Sequence, residues 1–219
     1  MRWEDKQEVK KGDMGENFLD QYLFQTGKWI PYLPVFDGPH PFDRIAASLD
    51  KKELFIVEVK TKPRRKWYPD TGFNYKNYLE YKHLNEKYGI RVFVVFVDEY
   101  RGEGYGNFLD CLEIEVEIIL GSKRIKYPLI DDSKYGCKII YFPLSNMIIP
   151  LFKLTPQQCQ KLKKLSKYSQ DYSEPDTLTI KELRDNVAVF AKNIVALSKP
   201  SKNRFPKEQL FLFQENSNN

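Results

Sequence analysis

Apolar residues recur along this chain with two different spacings, and the places where the spacing changes mark its elements. Phe18, Leu19, Tyr22 and Leu23 follow a helical period after Gly12-Asp13, and Gly27 stops the run, which predicts a helix there. "KWIPYLPVFDG" reads as a strand that its prolines confine to an edge. "FDRIAASLD" and "ELFIVEVKTK" read as two strands joined by a hairpin-like turn at Asp50-Lys51-Lys52. Residues 63–74, rich in Pro, Arg and Lys, are expected to form a loop, and Asn74 to Tyr88 a helix ended by Gly89. "IRVFVVFVD" is the plainest buried strand, apolar on both faces. Further on, "YGNFLDCLEIEVEIIL" and "GCKIIYFPL" predict a short helix and peripheral strands. Thr155-Pro156 opens a helix to about Tyr168, with Thr155 as cap, and a second helix is expected over 179–198. The tail from 199 reads as flexible, apart from a docking segment at Leu210–Phe213.

This succession of helix, three strands, helix and strand predicts an α/β fold with a central mixed sheet flanked by helices. The division expected is a domain over 1–150, a helical basic extension over 151–198 and a tail over 199–219. At 219 residues the chain can bury one good core, and 42% hydrophobic with 30% charged residues describes a soluble globular protein. No apolar run exceeds strand length, so no membrane span is expected, and "MRWEDKQEVKKGD" lacks the apolar core of a secretory signal. Cys111, Cys137 and Cys159 form neither a disulfide framework nor a zinc knuckle, which suits a reducing cytoplasm.

Charge changes the picture more. The net charge of +5 is uneven: residues 1–150 hold 23 Lys+Arg against 23 Asp+Glu, while 151–219 hold 12 against 7. A basic appendage on a neutral domain suits a polyanionic partner, or is only a solvated face. Its apolar residues Leu162, Leu165, Val189, Phe190 and Ile194 would pack on the sheet or on a second subunit, so a homodimer is compatible with the pattern.

Within "FIVEVKTK", Glu58 and Lys60 interrupt a buried run on one face of a strand, a desolvation cost with no structural return in view. Asp43 opens the preceding strand, and pairing of the two strands would bring it to the same end. Two close carboxylates repel unless a cation neutralises them, and an oxygen-only ligand set with room for waters suits Mg²⁺ or Mn²⁺. Lys60 would then orient a water and stabilise charge on a phosphate oxygen.

Asp43 … Glu58-Val59-Lys60 resembles the signature of the PD-(D/E)XK nuclease superfamily, with Phe42 where the name has proline. The order of elements over roughly residues 10–100 agrees. The resemblance implies a restriction-endonuclease-like core and metal-dependent phosphodiester hydrolysis, with Asp43 and Glu58 as metal ligands and Lys60 as catalytic lysine. It also implies an acidic residue on the first helix, where "GDMGENFLD" supplies Glu16. The Q-x-x-x-Y motif of the RecB-like branch is replaced by Asn74-x-x-x-Tyr78 and Asn77-x-x-x-Tyr81, which leaves the branch open.

Lys62, Arg64, Arg65 and Lys66, with Trp67 and Tyr68, follow this site directly and can neutralise phosphates and stack on bases, or form a solvated loop. Tyr78 and Tyr81 either bind phosphate, support Lys60 or pack in the core. Asp37 and His40, in the run before Asp43, are weaker ligand candidates. No Walker A loop, zinc spacing or nucleophile elbow competes. The expected activity is hydrolysis of DNA with Mg²⁺ or Mn²⁺. Open beside it are an RNA nuclease, a nucleic-acid-binding module that does not cut, and an interaction protein with fortuitous carboxylates.

Overall fold

The computed structural model of the protein describes residues 6–33, 42–50, 52–132 and 136–166. In chain order the first half comprises α1 (Gln7–Thr26), β1 (Trp29–Tyr32), β2 (Arg44–Ser48), β3 (Leu54–Thr61), β4 (Asp70–Asn74), α2 (Tyr75–Tyr88) and β5 (Arg91–Asp98). The second comprises β6 (Glu103–Phe108), α3 (Leu109–Leu112), β7 (Val116–Leu120), β8 (Lys123–Tyr127), β9 (Leu129–Asp132), β10 (Lys138–Pro143), β11 (Ile148–Lys153) and α4 (Pro156–Leu165).

The central sheet has the order β1-β2-β3-β5-β6-β11. Only β3 and β5 run parallel; β1–β2, β2–β3, β5–β6 and β6–β11 are antiparallel. This is the mixed sheet flanked by helices that the order of elements predicts. The parallel pair lies at its centre because α2 crosses between β3 and β5 and covers one face while α1 covers the other. Both faces of β3 and β5 are therefore buried, which explains their near-continuous apolar runs.

Alternation along β3 sorts its side chains into two cores. Phe55, Val57 and Val59 pack beneath α1 with Phe18, Leu19 and Leu23. Ile56 points the other way, into a core with Tyr78 and Tyr81 of α2 and Phe73, Ile140 and Phe142 of a second sheet, β4-β10-β9. The β7–β8 hairpin buries Val116, Ile118, Ile125 and Tyr127 in a smaller cluster of its own.

Several boundaries differ from the sequence reading. α1 starts at Gln7 and runs through Gly12 and Gly15, because Lys11 and Gly15 lie on its buried face and packing there outweighs the glycine penalty. β4 lies inside the stretch read as loop: Asp70–Phe73 are buried by pairing with β10, which no periodicity in "PDTGF" announces. β6 is an interior strand of the central sheet and not a peripheral one. The division at residue 150 falls within β11, so the chain beyond it begins as part of the sheet.

α4 is capped by Thr155 through a capping box with Gln158, and Pro156 occupies its first turn. Leu162 is fully buried against the α1-side core while Lys161 and Lys164 face solvent. Residues 179–198, Leu210–Phe213 and the rest of the tail lie outside the described residues, as do Asp37 and His40. Among the described residues no helix is long and apolar enough to cross a membrane.

Candidate functional site

Glu58 and Lys60 follow Ile56 on the α2 face of β3, just where the strand leaves the core. Glu58 is 4% exposed, and one of its oxygens accepts a hydrogen bond from the Lys60 ammonium. Its other oxygen, Oε2, is buried without a well-formed hydrogen bond among the described residues, and the Tyr81 hydroxyl lies close enough to the carboxylate to act on it. The Lys60 ammonium also stands 5.9 Å from the centre of the Tyr81 ring. The Tyr81 hydroxyl is held protonated, well above the ordinary phenol range, by burial first and then by the Glu58 and Asp43 carboxylates, against a hydrogen bond with Asn77. Asn77 and Tyr81 stand one turn apart on α2, and Tyr81 meets Glu58 on the same face of the sheet.

Asp43 immediately precedes β2 and accepts a 2.7 Å hydrogen bond from the Val59 amide at Oδ2, which ties it to β3 between Glu58 and Lys60. Its acid is pushed up from 3.8 to about 6. Burial is the largest cause and the Glu58 charge the second, while the Val59 amide, Lys60 and Arg44 pull the other way. The structure therefore brings Asp43, Glu58 and Lys60 to one place, as strand pairing from the sequence predicts.

Glu16 reaches the site from the other side of the sheet, because it stands on α1. It feels the charge of Asp43, and burial followed by that charge raises its acid above the usual carboxylate range. Arg44 holds it: one guanidinium nitrogen bonds Glu16 at 2.8 Å, and the remaining two grip Asp20 at 2.9–3.2 Å. Among the described residues, no three His, Cys, Asp or Glu side chains are gathered as a metal cage. The set of three ligands expected from the sequence is thus present as one close pair, Asp43 and Glu58, with Glu16 tied back by Arg44. Sequence reasoning missed Asp20 and the role of Arg44. Their signal was the spacing of Glu16 and Asp20, four residues apart on one helix face.

One solved structure with a similar course of chain is the Holliday junction resolvase Hjc of Archaeoglobus fulgidus. The two share 13% identity at a TM-score of 0.39, over 62% of this chain and 86% of that one. No protein-family model and no curated protein matches the chain.

The basic stretch after β3 divides in two. Arg64 is turned inward: it pairs with Glu103 and with Asp98 and lies over the Tyr105 ring at 4.7 Å. Arg65 grips the buried Asp70 at 2.6 and 2.5 Å and is sandwiched between the Tyr68 and Tyr141 rings at 4.2 and 3.7 Å. Tyr127 also donates to Asp70. The two arginines read from the sequence as phosphate contacts are therefore fastened into the fold, since adjacent buried carboxylates claim them. Trp67 faces outward, 68% exposed, and half-buried Lys66 lies over its ring at 5.0 Å. Half-buried Lys62 is pushed down to about 8, by burial first and then by the cations Lys60, Arg65 and Lys11 against the opposing charge of Asp70. Tyr78 is buried and donates to Glu113 at 2.6 Å, away from Glu58.

Proposed function

We propose that the protein is a divalent-metal-dependent nuclease that hydrolyses phosphodiester bonds, with DNA as substrate. The observation that carries this reading is the Asp43–Glu58 pair. Two carboxylates are held together at the end of β3, one with its acid raised by burial and then by the other, and one buried oxygen lacks a well-formed hydrogen bond among the described residues. Such a pair is costly for a fold to keep unless a cation completes it.

The donor set fits a hard cation. Asp43 and Glu58 offer only oxygens, and solvent at the strand end leaves room for waters, the combination that suits Mg²⁺ or Mn²⁺. When bound, such an ion supplies Lewis acidity toward a phosphate oxygen and lowers the pKa of a coordinated water. Asp43 and Glu58 hold it, and Glu16 adds acidic charge from the α1 side. Lys60, released from Glu58, orients the attacking water and offsets charge that grows on the phosphate oxygens. Tyr81, itself bonded by Asn77, faces the Glu58 carboxylate, and Lys62 and Lys66 meet flanking phosphates.

The test is cleavage of linear, circular, single-stranded and branched DNA, and of RNA, with Mg²⁺. Asp43→Asn and Glu58→Gln are expected to lose about 10²-fold or more in turnover while staying folded. Lys60→Ala is expected to keep metal affinity, read by calorimetry, and to lose most turnover. Undiminished cleavage by either carboxylate variant overturns the reading. Binding without cleavage by the wild-type protein assigns the scaffold to nucleic-acid binding alone.

A further inference from the structure

The three cations of β8 behave unlike the arginines that flank β3. Arg44, Arg64 and Arg65 are all spent on carboxylates. Lys123, Arg124 and Lys126 are exposed, and none forms an ion pair or hydrogen bond with another described residue. With Arg65 and Tyr68 they line one open groove between the β7–β8 hairpin and the loop that leaves β3. Two acids also line it, Glu117 and Asp131. Glu117 is the cross-strand partner of Lys126, and Asp131 acts on Tyr141 behind Arg65, so the hairpin tip keeps its positive charge.

Arg65 gives the groove a fixed floor. It spends Nε and Nη2 on Asp70 and is clamped between two tyrosine rings, yet its side chain is 23% exposed. The exposed part of the guanidinium stays open to the groove, beside contacts with Tyr127 and Tyr141. A planar donor edge already immobilised by packing is suited to a phosphate, because little rotamer entropy remains to be lost on binding. Lys62 lies within electrostatic reach of both Lys60 and Arg65, which puts this floor beside the strand that carries Glu58.

We propose that the β7–β8 hairpin and Arg65 form a phosphate-backbone groove that carries the substrate nucleic acid away from the Asp43–Glu58 site. The inference rests on the nuclease reading and names where that substrate continues. The groove holds one aromatic ring and no cluster of donors and acceptors that would read base edges, so it grips the backbone without sequence preference.

The experiment measures binding of a labelled DNA duplex to the full chain in EDTA, from low to moderate salt. Lys123→Glu/Arg124→Glu/Lys126→Glu is expected to bind at least about tenfold more weakly, with a log–log salt slope shallower by about 2 to 3, near 0.9 for each phosphate no longer neutralised. The milder triple change to Gln is expected to move both quantities the same way and guards against misfolding of the reversal. Lys52→Glu, on the turn at the far end of the β2–β3 hairpin, is expected to bind as wild type does. Unchanged affinity and slope in either folded triple variant overturns the groove and leaves the nuclease reading standing. A wild-type protein that neither binds nor cuts nucleic acid overturns both.

Discussion

At Asp43 one carboxylate is stabilised by a backbone amide and destabilised by burial and by Glu58. Its folded value of about 6 lies above the ordinary 3.8, so it takes up a proton on folding. The stabilisation this represents is complete below about pH 4 and is lost as pH rises through 6. In EDTA the wild-type protein should therefore lose on the order of 3 kcal/mol from this group between pH 4 and 7. Asp43→Asn should lose none of it. Thermal melts of the two proteins across that range measure the difference, and parallel pH profiles would contradict the assigned coupling. Cation binding needs the ionised form, so the proposed cleavage should fall away below about pH 6.

At the scale of elements, the packing of α1 on β3 decides whether Glu16 approaches the site at all. Gly15 is the contact point: a Cβ there would fall on the Thr61 hydroxyl, itself buried without a hydrogen-bond partner among the described residues. Gly15→Ala gains helix propensity, yet it must push α1 outward, and a net loss of about 1–3 kcal/mol is expected in chemical denaturation. Thr61→Ala in the same chain removes the colliding hydroxyl and should recover part of the loss. A Gly15→Ala protein as stable as wild type would mean that α1 is free to shift. The helical period of Phe18, Leu19 and Leu23 was legible in the sequence because those residues bury one face. The close approach at Gly15 was not, since it depends on which strand lies beneath.

Across the whole molecule, α1, the end of β5 and the end of α4 are pinned by one buried ion pair. The Lys11 ammonium bonds Glu99 at 2.5 Å and Ser166 at 3.4 Å, and the second Glu99 oxygen has no partner among the described residues. Breaking the pair leaves a buried charge, so Lys11→Met is expected to cost about 3–5 kcal/mol. Lys11→Met/Glu99→Gln removes both charges and should restore most of that stability. If the single and double variants unfold at the same denaturant concentration, the pair is not what ties these elements together.

Three features were determined by the sequence itself. The apolar runs fixed β3 and β5 as doubly covered strands, the αL glycines 27 and 89 fixed where α1 and α2 end, and the E-x-K interruption marked the strand end where Asp43, Glu58 and Lys60 meet. Each is a local signal, carried by period, turn chemistry or a charge out of place. Tertiary structure decided the rest. It made β4 a strand by pairing it with β10, although nothing in its own residues alternates. It also turned Arg64 from an apparent phosphate ligand into an internal brace, because Asp98 and Glu103 lie far along the chain, and it immobilised Arg65 on the nearby Asp70, which pairing with β10 buries. A run of basic residues looks the same in sequence whether its charges face solvent or a buried carboxylate. Only the fold supplies the partners whose desolvation and geometry choose between the two.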